Sequence, residues 1–301
     1  MSHDHDHDHD HRPPADLGPA FRWAVGLNTG YVLVEAFAGL MTGSLALLAD
    51  AAHNLTDVAG LLIAWGAAVL ARRAGTASYT FGYGRATILA AMFNAIALLI
   101  GVVVVVWEAA HRFQTVVEVP GLTILIVALV GIAVNTGSAL LFLKSRKGDL
   151  NANGAFLHMA ADAAVSGAVV LAAAGIMLTG WHWLDPAVAI AVSVLIAWTA
   201  WGLLRESLRL GLDGVPAGVD RQAVAIWIGD QPGVSNVHDL HIWALSTTRT
   251  ALAAHVVWDG VDADAFIDQV ANELEHDFGI AHVTLQLEST PCERAGECLA
   301  T

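Results

Sequence analysis

The chain has 301 residues, of which 56% are hydrophobic and only 14% are charged, and its formal net charge at neutral pH is −14. This composition excludes a single soluble domain and indicates a polytopic membrane protein with a soluble portion. The acidic balance argues against nucleic acid as a partner. The amino terminus lacks the basic segment of a secretory signal, so we expect the first apolar helix to remain as a span.

Residues 1–20 begin with histidine and aspartate in strict alternation. A segment of this composition cannot bury a core, so we predict a disordered tail. Metal capture is the use that alternating imidazoles and carboxylates favour, and a cloning artefact is the alternative. The metal-capturing candidates are His3, His5, His7, His9 and His11.

Six apolar stretches follow, each long enough to cross a bilayer as a helix, which takes about 20 residues. We place them near residues 21–41, 45–71, 86–110, 120–143, 152–179 and 184–207, within a transmembrane domain at 21–211. The loops 72–85 and 144–151 each carry three basic residues, whereas the loops on the other side offer only Arg112. The positive-inside rule therefore places both termini in the cytoplasm.

Two of these stretches contain ionisable residues: Asp50, His53 and Asp57 in the second, and His158 and Asp162 in the fifth. Such groups cost about 2.5–3.5 kcal/mol each on insertion scales, so they indicate function by default. Each histidine lies four residues before an aspartate, on one helix face. The two pairs form a tetrahedral ligand set that suits Zn²⁺, with Cd²⁺ or Co²⁺ tolerated. The alternative is a set of satisfied core polar groups without a metal.

Further polar residues accompany these pairs in the spans. Glu35 and Asp50 are candidates for a place beside the ligands or on a proton path. For Glu35, a hydrogen bond between helices is the alternative. Asn94, Asn135 and Ser166 are milder polar residues within the spans.

From Leu212 the pattern changes to that of a small soluble α+β domain, which we bound at residues 212–290, followed by a tail at 291–301. Asp220 and Asp262 are predicted to cap helices that run to about residues 229 and 278. Residues 237–245, 250–258 and 280–288 are predicted strands. The order helix–strand–strand–helix–strand predicts helices on one face of a small sheet. A domain of about 75 residues is marginal alone, so dimerisation is expected.

Histidines are frequent in this domain. His238, His255 and His282 lie on the three predicted strands and could converge on a metal, and exposed histidines near strand ends are the alternative. Regular strand alternation predicts that His241 faces away from His238. Cys292 and Cys298 in the tail are soft ligands, but their spacing is not that of a zinc finger.

Motifs along nearly the whole chain resemble those of the cation diffusion facilitator family, particularly its zinc-exporting branch. They are GSLALLADAAHNLTD at 43–57, YTFGYGR at 79–85, HMAAD at 158–162, LDGVP at 212–216, HDLHIW at 238–243 and TLQLE at 284–288. The resemblance implies a homodimer with six spans per subunit and a cytoplasmic domain of ferredoxin-like, metallochaperone-like fold. It implies that His53, Asp57, His158 and Asp162 bind the transported ion, and that His238, His255 and His282 fall where relatives bind metal in the cytoplasmic domain.

We therefore expect a secondary-active transporter, not an enzyme, that exports Zn²⁺ across a bacterial inner membrane by proton antiport. Zinc is expected as substrate and as a regulatory ligand. Metal and protons compete for the same groups, because the ligands must lose protons to bind metal. The alternatives are a membrane-anchored metal sensor and a proton-independent metal channel. An intramembrane metalloenzyme is disfavoured, because four protein ligands leave no open metal position.

Overall fold

The structure, a computed structural model, describes residues 19–115, 117–143 and 150–290. In four helices it describes the backbone alone at residues 19–25, 57, 60–62, 64–65, 142, 150–155 and 157–158. The histidine–aspartate tail and the segment with Cys292 and Cys298 lie outside the described residues, and what we expect of them stays a prediction.

Six long helices precede the soluble domain: α1 (Pro19–Thr42), α2 (Leu45–Ala71), α3 (Ala86–Arg112), α4 (Gly121–Phe142), α5 (Leu150–Thr179) and α6 (Leu184–Gly211). Their ends lie within four residues of the predicted spans. An apolar run in lipid must pair its backbone groups internally, and a helix does so. Over the described residues, four helices, α3 to α6, contain segments long and apolar enough to cross a membrane. The protein is thus an integral membrane protein with several spans, and the count of six stays a prediction.

The described chain divides into two compact units, one formed by residues up to Val58 together with Val103–Val194, and the other by Ala59–Val102 together with the residues from Leu195 onward. In the first unit, α4 packs against α1 and α5. Its core is built largely from small and β-branched side chains, including Ile124, Ala128, Val169 and Ala173. Small side chains let these helices approach closely.

The start of α2 is fixed by a carboxylate from another helix. Asp185, in the first turn of α6, is only 2% exposed. It accepts hydrogen bonds from Ser44 Oγ (2.5 Å) and from the backbone N–H groups of Leu45 (2.8 Å) and Ala46 (3.2 Å). The first N–H groups of a helix lack partners within it and favour a negative charge. Asp185 therefore caps the helix that carries His53 and Asp57.

The second unit contains the soluble domain, with α7 (Arg221–Gly229), β1 (Val234–Ala244), β2 (Thr250–Trp258), α8 (Ala263–Phe278) and β3 (His282–Glu288). Asp220 and Asp262 cap α7 and α8 through their side chains, as predicted. The central strand β2 pairs antiparallel with β1 and parallel with β3. One core joins both helices to one sheet face, and its buried residues include Val224, Ile228, Leu252, Val256, Phe266, Val270 and Leu274.

A bulge in β1 changes which residues share a sheet face. His238 pairs with His255 and His241 with Ala253, so three steps on β1 match two steps on β2. Within the bulge, Asp239 has a φ of 50°. The extra residue places His241 on the same face as His238, so the prediction that they face opposite sides is wrong. This outer face lies away from α7 and α8, because Leu252 and Val256, which flank Ala253 and His255 along β2, point into the core.

Candidate metal sites

The first candidate site lies between α2 and α5. His53 Nε2 is 3.8 Å from Asp162 Oδ1, and the two side chains are 16% and 5% exposed. A histidine nitrogen and a carboxylate oxygen from different helices thus meet inside a bundle of apolar helices. These atom types are ligands of Zn²⁺.

The other two predicted ligands lie on the same two helices. Asp57 is one turn after His53 on α2, and His158 is one turn before Asp162 on α5. Residues four apart occupy one helix face. The side chains of Asp57 and His158 lie outside the described residues, so their part in the ligand set stays a prediction.

A buried acidic network lies beside this pair. Glu35 and Asp50 are 0% and 1% exposed. Tyr31 Oη donates to Glu35 Oε1 at 2.7 Å, and Asn54 Nδ2 lies 3.4 Å from Glu35 Oε2 and 3.3 Å from Asp50 Oδ1. Ser166 Oγ donates to Asp50 Oδ2 at 3.3 Å. These donors are neutral, so they orient the carboxylates without cancelling charge, and the environment attracts cations or protons.

The second candidate site lies on the outer face of the sheet. Among the described residues, His238, His255 and Glu288 form a group whose ligand atoms lie within 4.8 Å of one another. His238 Nε2 is 3.3 Å from Glu288 Oε2, and His255 Nδ1 is 3.1 Å from Glu288 Oε1. The two imidazoles meet edge to face, with ring centroids 5.3 Å apart.

Three donor atoms of this cluster are available to bind a metal ion. His238 Nε2, His255 Nδ1 and Glu288 Oε2 are buried, and over the described residues none has a hydrogen bond of acceptable geometry. The other nitrogen of His238 is held by Asn236 Oδ1 at 2.9 Å, and His255 Nε2 lies 3.6 Å from Asp239 Oδ2. Partners of this kind fix the ring orientation of metal-binding histidines. The donor set fits Zn²⁺.

His282, which the sequence analysis grouped with His238 and His255, lies elsewhere on the sheet. It pairs with Ala251, whereas the β3 partner of His255 is Gln286, four residues along. The His282 ring instead contacts Phe81 of the α2–α3 loop edge to face, with centroids 5.4 Å apart. The single chain therefore does not bring His282 into the cluster.

Sequence reasoning missed three residues of these sites. Glu288 comes within reach of His255 because it lies two residues from Gln286, the partner of His255, and that pairing is known only from the fold. Asp239 depends on the bulge, and the signal for it is the break in alternation where His238 and Asp239 stand side by side. Asp185 carried no signal beyond being an acidic residue at a helix start. Together these helices and clusters define a membrane protein that handles metal cations.

Comparison with known proteins also points to a membrane protein that handles metal cations. Residues 22–210 match the cation efflux transmembrane domain, and residues 216–290 match the cytoplasmic domain of cation efflux proteins. The zinc transporter ZitB of Shigella flexneri is 39% identical over 297 residues, covering 98% of this chain and 95% of that protein. The metal cation efflux protein CzcD of Cupriavidus metallidurans is 38% identical, covering 90% of this chain and 87% of its own.

A third relative is named a cadmium, cobalt and zinc/H⁺–K⁺ antiporter. It comes from Bacillus subtilis and is 35% identical, covering 87% of this chain and 86% of its own. The present chain therefore belongs to the cation diffusion facilitator family. It is a cation efflux transporter and not an enzyme.

Proposed function

We propose that this protein exports Zn²⁺ from the cytoplasm in exchange for protons, through a site formed by His53, Asp57, His158 and Asp162. The observation that carries the proposal is the approach of His53 Nε2 to Asp162 Oδ1, at 3.8 Å, from two different helices. A histidine and a carboxylate this close are rare inside a membrane helix bundle unless they have a function. The relatives named as zinc transporters support zinc as the substrate, with Cd²⁺ and Co²⁺ as further candidates.

Proton exchange follows from the charge of the site. Asp57 and Asp162 together carry two negative charges, which one Zn²⁺ cancels. The empty site keeps those charges in a medium that solvates them poorly, so it recruits protons instead. Since metal binds only the deprotonated ligands, the two cargoes exclude each other. Glu35 on α1 and Asp50, three residues before His53 on α2, are both buried and are the candidates for the path that protons follow.

The architecture that goes with this function has six spans and both termini in the cytoplasm of a bacterial inner membrane. The basic loops 72–85 and 144–151 support this orientation. The helix–strand–strand–helix–strand order of the soluble domain, with helices on one sheet face, is compatible with a ferredoxin-like fold. A homodimer joined through this domain is the expected assembly, since the matching region in relatives is a dimer-forming domain by its name.

The cluster of His238, His255 and Glu288 is proposed as a second, cytoplasmic zinc site. It lies outside the apolar helices, so it cannot be on the path of the ion through the bilayer. Its role is then regulatory: zinc bound there reports the cytoplasmic concentration to the transporter. The acidic character of the region from residue 213 onward, with 14 acidic and three basic residues, raises the local concentration of cations.

The test is uptake of radioactive zinc into proteoliposomes with an acidic lumen. We expect uptake by the wild-type protein that rises with the pH gradient and stops when nigericin collapses it. Asp57→Ala and His53→Ala should each abolish it. The matched control is His276→Ala, which removes an exposed histidine of the soluble domain and should transport normally.

Two other outcomes would contradict the proposal in different ways. Uptake that is indifferent to the pH gradient would favour a channel. Gradient-driven uptake that survives both His53→Ala and Asp57→Ala would mean that the transport site lies elsewhere.

A further inference from the structure

Helices α4 and α5 run antiparallel in a register that two close approaches define. A Cβ built on Gly121 of α4 would lie 2.8 Å from Met177 Cγ, 3.3 Å from the backbone oxygen of Ala173 and 3.5 Å from Ile176 Cγ2, all on α5. Ten residues further along α4, a Cβ on Gly131 would lie 3.0 Å from Ser166 Oγ, which is ten residues back along α5. Over this length, each step forward along α4 therefore corresponds to one step back along α5.

The same register continues to the other end of the pair. Asn28 of α1 donates from Nδ2 to Ser138 Oγ of α4 at 2.9 Å, and the same nitrogen lies 3.5 Å from Met159 Sδ of α5. Ser138 is seven residues beyond Gly131, and Met159 is seven residues before Ser166. These three contacts thus show which residues of α4 and α5 lie side by side between Gly121 and Ser138.

Asn135 lies opposite Asp162 in this register, since each is four residues from the Gly131–Ser166 contact. It shares a helix face with Gly131 and Ser138, at positions i, i+4 and i+7, and both of those neighbours contact α1. Asn135 therefore faces the interior of the unit, at the level of a predicted metal ligand.

The amide of Asn135 makes no hydrogen bond to the part of the chain that the structure describes. The residue is 1% exposed, and neither its Oδ1 nor its Nδ2 makes a hydrogen bond over the described residues. A buried polar group without a partner destabilises the folded state, because it loses its hydrogen bonds to water. Native proteins rarely retain such groups without a use. Nearby buried amides differ in this respect, since Asn54 bonds to two carboxylates.

We propose that Asn135 belongs to the transport site and that its amide oxygen binds the cation beside Asp162. This inference rests on the proposed function and deepens it, since it adds an oxygen donor to the histidine and carboxylate ligands. An amide oxygen is neutral and carries no proton to displace, so it can hold the ion while other ligands exchange. Oxygen donors suit harder divalent cations better than imidazole does, and Asn135 therefore contributes to metal selectivity.

The experiment measures Zn²⁺ and Mn²⁺ binding to the purified full-length protein in detergent, by competition with a chelating dye. The binding component that is lost in His53→Ala defines the transport site. Asn135→Leu should weaken Zn²⁺ binding in that component about tenfold, the lower end of what loss of a metal-site partner costs. It should not lower the thermal midpoint of unfolding, because the leucine removes an unpaired polar group from the interior.

Two further variants separate an oxygen donor from a structural role. Asn135→Asp keeps an oxygen at the position, so it should bind Zn²⁺ at least as tightly as the wild type and raise the affinity for Mn²⁺ relative to Zn²⁺. Asn94→Leu makes the same apolar change at a half-buried asparagine of α3 and should leave both metals unaffected.

Several results would overturn the inference. Wild-type zinc affinity in Asn135→Leu would mean that the amide does not touch the ion. Loss of zinc affinity in both Asn135 variants, together with a lowered midpoint, would mean that the asparagine is structural. If His53→Ala removes no binding component, the proposed transport site fails as a whole, and this failure is distinguishable from that of Asn135 alone.

Discussion

Glu288 holds the cytoplasmic cluster together, because its two carboxylate oxygens approach different histidines. Neither His238 nor His255 could be assigned a partner from sequence alone, since strand pairing decides which residues meet. The parallel pairing of β3 with β2 places Glu288 opposite Val257, one alternation step beyond His255. The same pairing takes His282 to the level of Ala251 and away from the cluster.

Glu288→Gln should remove one zinc ion from the full-length protein at saturation. The substitution keeps the shape of the side chain and loses the charge that neutralises the metal. Equilibrium dialysis with zinc would give the stoichiometry. Glu273→Gln, which alters a half-exposed carboxylate of α8 that accepts from Gln269, should keep the wild-type number.

His282→Ala should also keep the wild-type number of bound zinc ions, because the ring packs on Phe81 rather than near Glu288. The same dialysis measures it. A loss equal to that of Glu288→Gln would restore His282 to the metal site and require a partner subunit or a rearrangement to bring it there.

The choice of imidazole at position 53 should set metal preference. His53→Asp replaces a nitrogen donor by an oxygen donor, and oxygen-rich sites prefer harder ions. We expect transport to broaden towards the harder ion Mn²⁺ in competition assays against Zn²⁺ in proteoliposomes. An unchanged order of competition among the metals would count against His53 as a ligand.

At the scale of whole elements, the sequence was enough for helix positions, and for strand positions to within three residues, since β1 begins at Val234 and β3 at His282. Long apolar runs predict α1 to α6, and the capping aspartates Asp220 and Asp262 predict where α7 and α8 begin. The bulge in β1 was not predicted, although the adjacent polar residues His238 and Asp239 interrupt the alternation of apolar residues in the sequence VHDLHI at 237–242. Its consequence is local but decisive, since one extra residue turns His241 to the face that carries His238.

The contact between α6 and the start of α2 is another feature that only the fold reveals. Asp185→Ala would leave Ser44 Oγ and the N–H groups of Leu45 and Ala46 without their acceptor. Buried donors without partners cost about 1–3 kcal/mol of the free energy of unfolding. We expect a lower thermal midpoint in detergent and reduced transport, because α2 positions His53.

A matched series would test this role of Asp185. Asp185→Asn keeps one acceptor oxygen and should fall between Asp185→Ala and the wild type. Asp264→Ala, at an exposed position in the first turn of α8, should change the midpoint little. Equal midpoints for Asp185→Ala and the wild type would show that water replaces the carboxylate.

For the whole molecule, the main question is how the two candidate sites divide the work. One lies among apolar helices and the other in a soluble domain, which is the arrangement expected of a transporter with a cytoplasmic sensor. A membrane-anchored sensor would need only the second site. The acidic residues Glu35 and Asp50, deep in the first unit, would be an unexplained cost in such a protein.

Disabling each site in turn should distinguish a transporter with a sensing domain from a membrane-anchored sensor. The double variant His255→Ala/Glu288→Gln removes the cytoplasmic cluster, and we expect it to keep gradient-driven zinc uptake with a changed dependence on zinc concentration. Asp162→Ala keeps the cluster and should abolish uptake, because the ion loses a carboxylate that cancels its charge within the bilayer. Initial rates in proteoliposomes at a fixed pH gradient, over a range of zinc concentrations, provide the comparison. Loss of all transport in the cluster variant, with normal uptake in Asp162→Ala, would reverse the assignment of the two sites.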